Sequence, residues 1–78
     1  MIEKQAYINY VKDIVPGIET VEQAEAVVEA VFSVPFNGLR NGDTVVLPKL
    51  GQISVDRSRG ENCLAFVPET ALLKCLLK

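Results

Sequence analysis

The first part of the chain carries apolar side chains at helical spacing. This stripe predicts a helix from about Glu3 to Val15, and the Pro16-Gly17 pair that follows should end it. Its apolar positions are Tyr7, Ile8, Val11, Ile14 and Val15. A stripe this wide needs a partner surface to cover it.

A second helix is predicted to begin near Thr20, whose side chain is a good N-cap, with Gln23 at the capping-box position. Its apolar face is formed by Ala24, Val27, Val28, Val31 and Phe32. Pro35 falls inside the same pattern, where it lacks an N–H donor and its ring presses on the carbonyl of Val31. We therefore expect a kink or a break at Pro35.

Residues 40–43, with the sequence Arg-Asn-Gly-Asp, are typical of a turn and lead into a β-branched strand from Thr44 to Leu50. Pro48 within that strand favours an edge position or a bulge. Gly51 suits a tight turn or a bulge before the next strand.

In the second strand, Ile53 and Val55 alternate with polar residues, which predicts one buried and one wet face. Residues 57–61 indicate a short hairpin tip, and residues 62–66 a returning third strand. Pro68 suits the first position of a last helix that ends near Leu77. The order of two helices, three antiparallel strands and one helix predicts an α+β fold, with one domain over residues 1–78.

The length of the chain favours association. A domain of 78 residues buries only about 60% of the surface of its unfolded chain, so an isolated monomer would be marginally stable. No apolar run approaches the roughly 20 residues that cross a bilayer, and the first residues lack the apolar segment of a signal peptide. We therefore expect a soluble protein that is not secreted and has no membrane partner.

The side-chain inventory argues against catalysis. The chain has no histidine, so Ser-His and Cys-His nucleophilic pairs cannot form and zinc lacks its commonest nitrogen ligand. Cys63 and Cys75 could form one disulfide, but neither lies in a C-x-x-C motif, and we expect two reduced packing residues. No catalytic, metal-binding or cofactor-binding residue is predicted.

Residues from Gln23 to Phe32, the strand residues around Gly51, and Ala65-Phe66 with Pro68 and Ala71-Leu72 together resemble the bacterial HU and integration host factor (IHF) family. Lys49 stands where that family has the first glycine of its Gly-aromatic-Gly signature. The resemblance implies an HU/IHF-like intertwined dimer in which helical bodies support a β saddle. It also implies a bacterial cytoplasmic protein or, if the fold is reused in an assembly, a virion protein.

The family grips DNA with long β-ribbon arms, which the short span from Val55 to Phe66 cannot form. Asp56 and Ser58 stand where the family favours arginines, and Val67, Thr70 and Leu73 stand where it favours lysines. The chain has a net charge of −2, whereas a protein held on DNA by contacts to phosphates usually presents a basic surface. The remaining candidate contacts to DNA or another anion are Arg40, Lys49, Arg57 and Arg59. Exposed arginines at a turn are usually just solvated, and that is the alternative interpretation.

The last helix is apolar around much of its circumference. Its candidate protein interface comprises Val67, Leu72, Leu73, Leu76 and Leu77; dimerisation could bury all of it, or it could form a second protein-facing surface. Our leading hypothesis is a non-enzymatic structural module that pairs with itself or a similar subunit and contacts other proteins of an assembly, such as a phage particle. The alternative is a reduced nucleoid-type protein that binds DNA weakly and without bending it.

Overall fold

The computed structural model describes residues 1–77 and has an α+β architecture of three helices and a three-stranded antiparallel sheet. This confirms the predicted class and element order. The helices are α1 (Lys4–Ile14), α2 (Val21–Arg40) and α3 (Thr70–Leu76). The strands are β1 (Val45–Leu47), β2 (Gly51–Val55) and β3 (Leu64–Pro68), with a 3-10 turn at Arg57–Arg59 between the last two.

The chain divides into two compact units, which we call the helical unit (Met1–Val34) and the sheet unit (Pro35–Lys78). The boundary falls inside α2. The helical unit has a core of Ile8, Ala24 and Val28, against which Val11 and Ile18 pack. All of these positions except Ile18, which lies between the two helices, belong to the predicted stripes, but only a few members of each stripe are buried.

The predicted capping box at the start of α2 is confirmed. The Gln23 N–H donates to the Thr20 hydroxyl oxygen at 3.1 Å, and the Thr20 N–H donates to the Gln23 side-chain oxygen at 3.1 Å. The Gln23 side-chain oxygen also accepts a second hydrogen bond, from the Glu19 N–H at 2.8 Å. Free amide donors at the helix start are thus satisfied locally.

We expected a kink or a break at Pro35, and the break is wrong because α2 continues to Arg40. Its C-terminus is held by Gly42, which has φ +85°. The Gly42 N–H donates to the Leu39 carbonyl at 3.0 Å and the Asp43 N–H donates to the Gly38 carbonyl at 2.9 Å, which is the Schellman pattern. We attribute the continuity of α2 to the hydrogen bonds at both of its ends, which offset the free-energy cost of about 3 kcal/mol that an interior proline imposes on a helix.

Strand β1 is shorter than predicted. Pro48 and Lys49 occupy a turn in which the Leu50 N–H donates to the Leu47 carbonyl at 3.0 Å, and Lys49 has φ +69°. Gly51, expected in a turn or bulge, is instead the buried first residue of β2 and pairs with both Leu47 and Pro68.

The third strand lies later in the chain than predicted, and Pro68 ends β3 instead of starting the last helix. Pairing explains the difference: Pro68 lies opposite Gly51, and the Glu69 N–H donates to the Leu50 carbonyl at 2.9 Å. These contacts keep the segment on the sheet, and Glu69 becomes the N-cap of α3. Ladder hydrogen bonds here override the local preference of proline for a helix start.

Both outer strands of the described sheet have restricted edges. The Asp56 N–H donates to the Cys63 carbonyl, and the Glu69 N–H donates to the Leu50 carbonyl, so residues 63 and 69 direct their backbone groups toward β2. Because the direction of these groups alternates along a strand, the backbone groups of Leu64, Phe66 and Pro68 point away from β2, toward the free edge. Pro68 has no N–H, and the outward Leu64 carbonyl accepts a bond from the Arg59 guanidinium at 3.1 Å. On the other side, β1 is three residues long and Pro48 ends it. Such edges resist pairing with another strand.

Gly51 is the position of this sheet that least tolerates a side chain. It has φ +148°, and an added Cβ would collide with the Val67 carbonyl oxygen and lie 2.8 Å from the Pro68 Cα. We predict that Gly51→Ala lowers the free energy of unfolding by more than about 2 kcal/mol, because strain and a backbone clash add. Chemical denaturation at fixed protein concentration measures the loss.

Gly42→Ala is the matched control, since Gly42 also has positive φ but has nothing within 4 Å of an added Cβ. It should cost about 1 kcal/mol, from backbone strain alone. Equal losses in the two variants would contradict the proposed clash at Gly51.

Candidate functional site

The largest apolar depression of the helical unit lies between α1 and the first part of α2. This helical groove has a volume of about 490 Å³, and its lining includes Tyr7, Tyr10, Val27, Val28, Val31 and Phe32. A neighbouring depression of about 340 Å³ shares Tyr7, Val28 and Phe32 with it. The two predicted helical stripes therefore cover each other only in part.

Two side-chain contacts hold the walls of the helical groove. The rings of Tyr7 and Phe32 meet edge to face with centroids 5.1 Å apart. Lys4 Nζ lies 2.6 Å from Glu29 Oε1 and 3.3 Å from Glu25 Oε2, joining α1 to α2. The hydrogen bond to Glu29, with Glu25 acting in the same direction, raises the pKa of the Lys4 ammonium. These ion pairs are exposed, so they orient the helices more than they stabilise them.

The predicted protein interface lies on two elements of the sheet unit. Val67 is an exposed residue of β3, and Leu72 is a half-buried residue of α3. Leu73, Leu76 and Leu77 are all exposed, and Leu76 and Leu77 retain 70% and 84% of their accessible surface. Apolar surface on α3 is therefore uncovered in the single chain.

One face of the sheet is apolar throughout, a surface that our sequence analysis did not assign to an interface. Ile53 pairs with Val45 on one side and Phe66 on the other, so all three share this face. Phe66 and its neighbour Leu64 remain about half exposed. The alternating pattern of β2 predicted that Ile53 and Val55 share one face. The contribution of β3 was missed because this strand was predicted at residues 62–66 and lies at Leu64–Pro68.

The structure brings together two of the four predicted anion contacts. Arg40 at the end of α2 and Arg57 in the 3-10 turn line one depression of about 450 Å³, together with Asn62, Glu61 and an apolar floor. Arg59 instead donates to the Leu64 carbonyl. Lys49 lies in the β1–β2 turn, at the opposite end of β2 from the 3-10 turn.

Asp56 fixes the turn that carries Arg57 and Arg59. Its carboxylate accepts bonds from the Ser58 hydroxyl at 2.5 Å and the Ser58 N–H at 3.1 Å. These two hydrogen bonds lower the pKa of Asp56, with the charge of Arg59 acting in the same direction. The turn is therefore best ordered when Asp56 is ionised.

Other kinds of site find little support in the described part of the chain. Within residues 1–77 no group of three or more acidic or cysteine side chains is placed to hold a metal ion. Cys63 and Cys75 are free thiols, and Cys75, expected as a packing residue, is exposed. Over the same residues no helix has the length and apolarity required to cross a bilayer.

No protein-family model matches the chain, and no curated protein matches it significantly. The helical groove, the apolar sheet face, α3 and the Arg40–Arg57 depression therefore carry the functional proposals.

We predict that Asp56→Ala loosens the 3-10 turn and leaves the sheet folded, because it removes both hydrogen bonds to Ser58. Amide hydrogen exchange at residues 57–60 should accelerate, with unchanged protection at Ile53 and Phe66. The pH dependence has a defined sign: the pKa of Asp56 is lowered, so its contribution is present above the usual aspartate pKa and is lost as the pH falls through the lowered value. Uniform loss of protection across β2 and β3 would contradict this local role.

Proposed function

We propose that the chain is a non-enzymatic, HU/IHF-like structural module that acts through oligomerisation and protein–protein contact. In this proposal it pairs with itself or a similar subunit and contributes to a larger assembly, such as a bacteriophage particle. The proposal gives it no catalytic group and no cofactor.

Accessible surface area carries the proposal. The chain exposes 6380 Å². Two separate globules of 34 and 44 residues would together expose about 5,600 Å². The excess of roughly 800 Å² per chain is of the size that one partner buries in a specific interface.

The exposed surface is apolar in the places where an interface would form. Among residues 1–77, only Ile8, Ala24 and Val28 form a buried apolar core. The helical groove, the sheet face with Phe66, and α3 all leave large apolar side chains in contact with water. Clusters of exposed large apolar side chains mark contact surfaces in soluble proteins.

Two local features support the HU/IHF-like layout. Lys49, which stands at the family's first signature glycine, has φ +69°, a conformation that glycine adopts most readily. Residues 56–63 join β2 to β3 through a single 3-10 turn, with no extended ribbon. The layout is thus consistent with the helical and saddle parts of the family without its DNA-binding arms.

Matched charge insertions on α2 test the oligomer. We predict that Val31→Asp shifts the protein to monomer, because Val31 lies in the helical groove and a carboxylate there would have to be desolvated on association. Ala26→Asp, at an exposed position outside the groove lining, should leave the oligomer intact. Sedimentation velocity from nanomolar to high micromolar concentration measures both. A parent protein that is folded and monomeric throughout this range, and that binds no partner from its host or from the virion, would refute the proposal.

The stability of the parent protein should also depend on its concentration. For a dimer that unfolds to monomers, each tenfold increase in concentration stabilises the folded state by about 1.4 kcal/mol of dimer. Urea titrations at three concentrations check this, and coincident midpoints would contradict coupled folding and association.

Weak, non-specific DNA binding without bending is the second candidate function. It is favoured by the shared depression of Arg40 and Arg57 and by the distribution of charge. The sheet unit has six basic and four acidic residues, whereas the helical unit has two basic and six acidic residues. The sheet unit therefore has two more basic than acidic residues, although the whole chain has a net negative charge.

Salt-dependent DNA titration tests the second function. If the basic depression contacts phosphates, Arg40→Ala and Arg57→Ala should each weaken binding to labelled duplex and reduce the salt slope by about 1. Lys12→Ala on α1 is the control and should leave both unchanged. Absence of binding at low salt would exclude this function and leave the structural module standing.

A further inference from the structure

We propose that, in the oligomer, α3 of each copy lies in the helical groove of the other copy. Two such contacts related by a two-fold axis would make a closed dimer in which each copy supplies one helix and one groove. This inference rests on the proposed function and names the segment that completes it.

Helix α3 requires a covering surface. It has seven residues, and a helix of this length is unstable in water without tertiary contacts. Within the single chain Leu72 is half-buried, whereas Leu73, Leu76 and the C-cap residue Leu77 are exposed. A partner surface that covers these exposed leucines would stabilise the helix.

The helical groove has the chemistry to receive this helix. Its walls are aliphatic and aromatic, and its volume of about 490 Å³ admits several leucine side chains. Tyr10 and Val31 retain 66% and 59% of their accessible surface, so the lining is available to a partner. The Tyr7 and Tyr10 rings offer apolar faces with hydroxyls that can remain in water.

Charge selects this pairing over the two symmetric alternatives. Groove against groove would bring together two units that each carry two basic and six acidic residues. Helix against helix would bring together two copies of α3, which contains Lys74 and no acidic residue. Only α3 against the groove joins a helix whose one charged residue is Lys74 to a unit with four more acidic than basic residues. The depression that adjoins the groove is lined by Glu3 and by the ion pair of Lys4 and Glu29.

The edges of the sheet do not offer a competing mode of association. Pro68 and the bond from Arg59 to the Leu64 carbonyl restrict the outer edge of β3, and Pro48 ends β1. Pairing of strands between copies would lack part of its backbone bonding. In this proposal the copies therefore associate through helix and groove surfaces and not through the edges of the sheet.

Cys75 permits a direct test, because it is a native exposed thiol on α3. The first chain carries Cys63→Ser, so its single thiol is Cys75 on α3. The second chain carries Cys63→Ser and Cys75→Ser, and its single thiol is introduced in the groove by Tyr10→Cys or Val31→Cys. The two chains are then mixed. Ala26→Cys in the second chain is the matched control on α2. After mild oxidation with diamide, disulfide-linked dimers are counted on non-reducing gels. Each chain has one thiol, so a mixed disulfide can form only between copies.

We expect mixed disulfides with at least one of the two groove cysteines and none with Ala26→Cys, since a disulfide requires Cα atoms within about 7 Å. A dimer in sedimentation without cross-linking at either groove position would overturn this inference and leave the proposed function intact. Equal cross-linking at Ala26→Cys would show random collision and also overturn it. A monomeric parent would overturn this inference, and one that also binds no partner would overturn the proposed function as well.

A charge reversal gives an independent readout. Lys74→Glu should weaken dimerisation about 2- to 5-fold at low salt, because it places a carboxylate beside an acidic unit. This loss of affinity should become smaller as the salt concentration increases. Lys74→Arg, which keeps the positive charge, should retain the parent affinity. Unchanged affinity in Lys74→Glu at low salt would contradict the proposed location of α3.

Discussion

The ratio of surface to interior governs this structure. Two amphipathic helices and three short strands each have an apolar side, but the chain is too short for these sides to cover one another completely. Ile8, Ala24 and Val28 are enclosed, while aromatic and leucine side chains remain in water. Hydrophobic burial is the main favourable term in folding, so much of that term remains available to a partner chain. Folding and association are therefore expected to be coupled.

Elements fixed by neighbours in the sequence could be predicted well. The capping box of Thr20 and Gln23 and the turn around Gly42 depend on bonds between residues a few positions apart, and both were found where the sequence indicated. Positions fixed by distant partners were predicted poorly. Pro68 has a local preference for a helix start, but its strand position depends on Gly51, seventeen residues earlier in the chain.

The candidate site shows the same distinction. Arg40 and Arg57 were singled out as separate exposed cations, and only the fold brings them to one depression. Lys49 belonged to the same predicted set, but a turn holds it at the other end of β2. Apolar spacing identified the stripes that form the helical groove. It did not identify the uncovered part, because that depends on how closely two helices pack.

The prolines at Pro48 and Pro68 have a consequence for how large an assembly can become. A sheet with open margins can recruit further copies without limit and grow into a fibre. In this protein the edges of the sheet lack part of the backbone hydrogen bonding that such growth requires. Growth of a fibre by addition of strands is therefore disfavoured, even where many copies are held at a high local concentration.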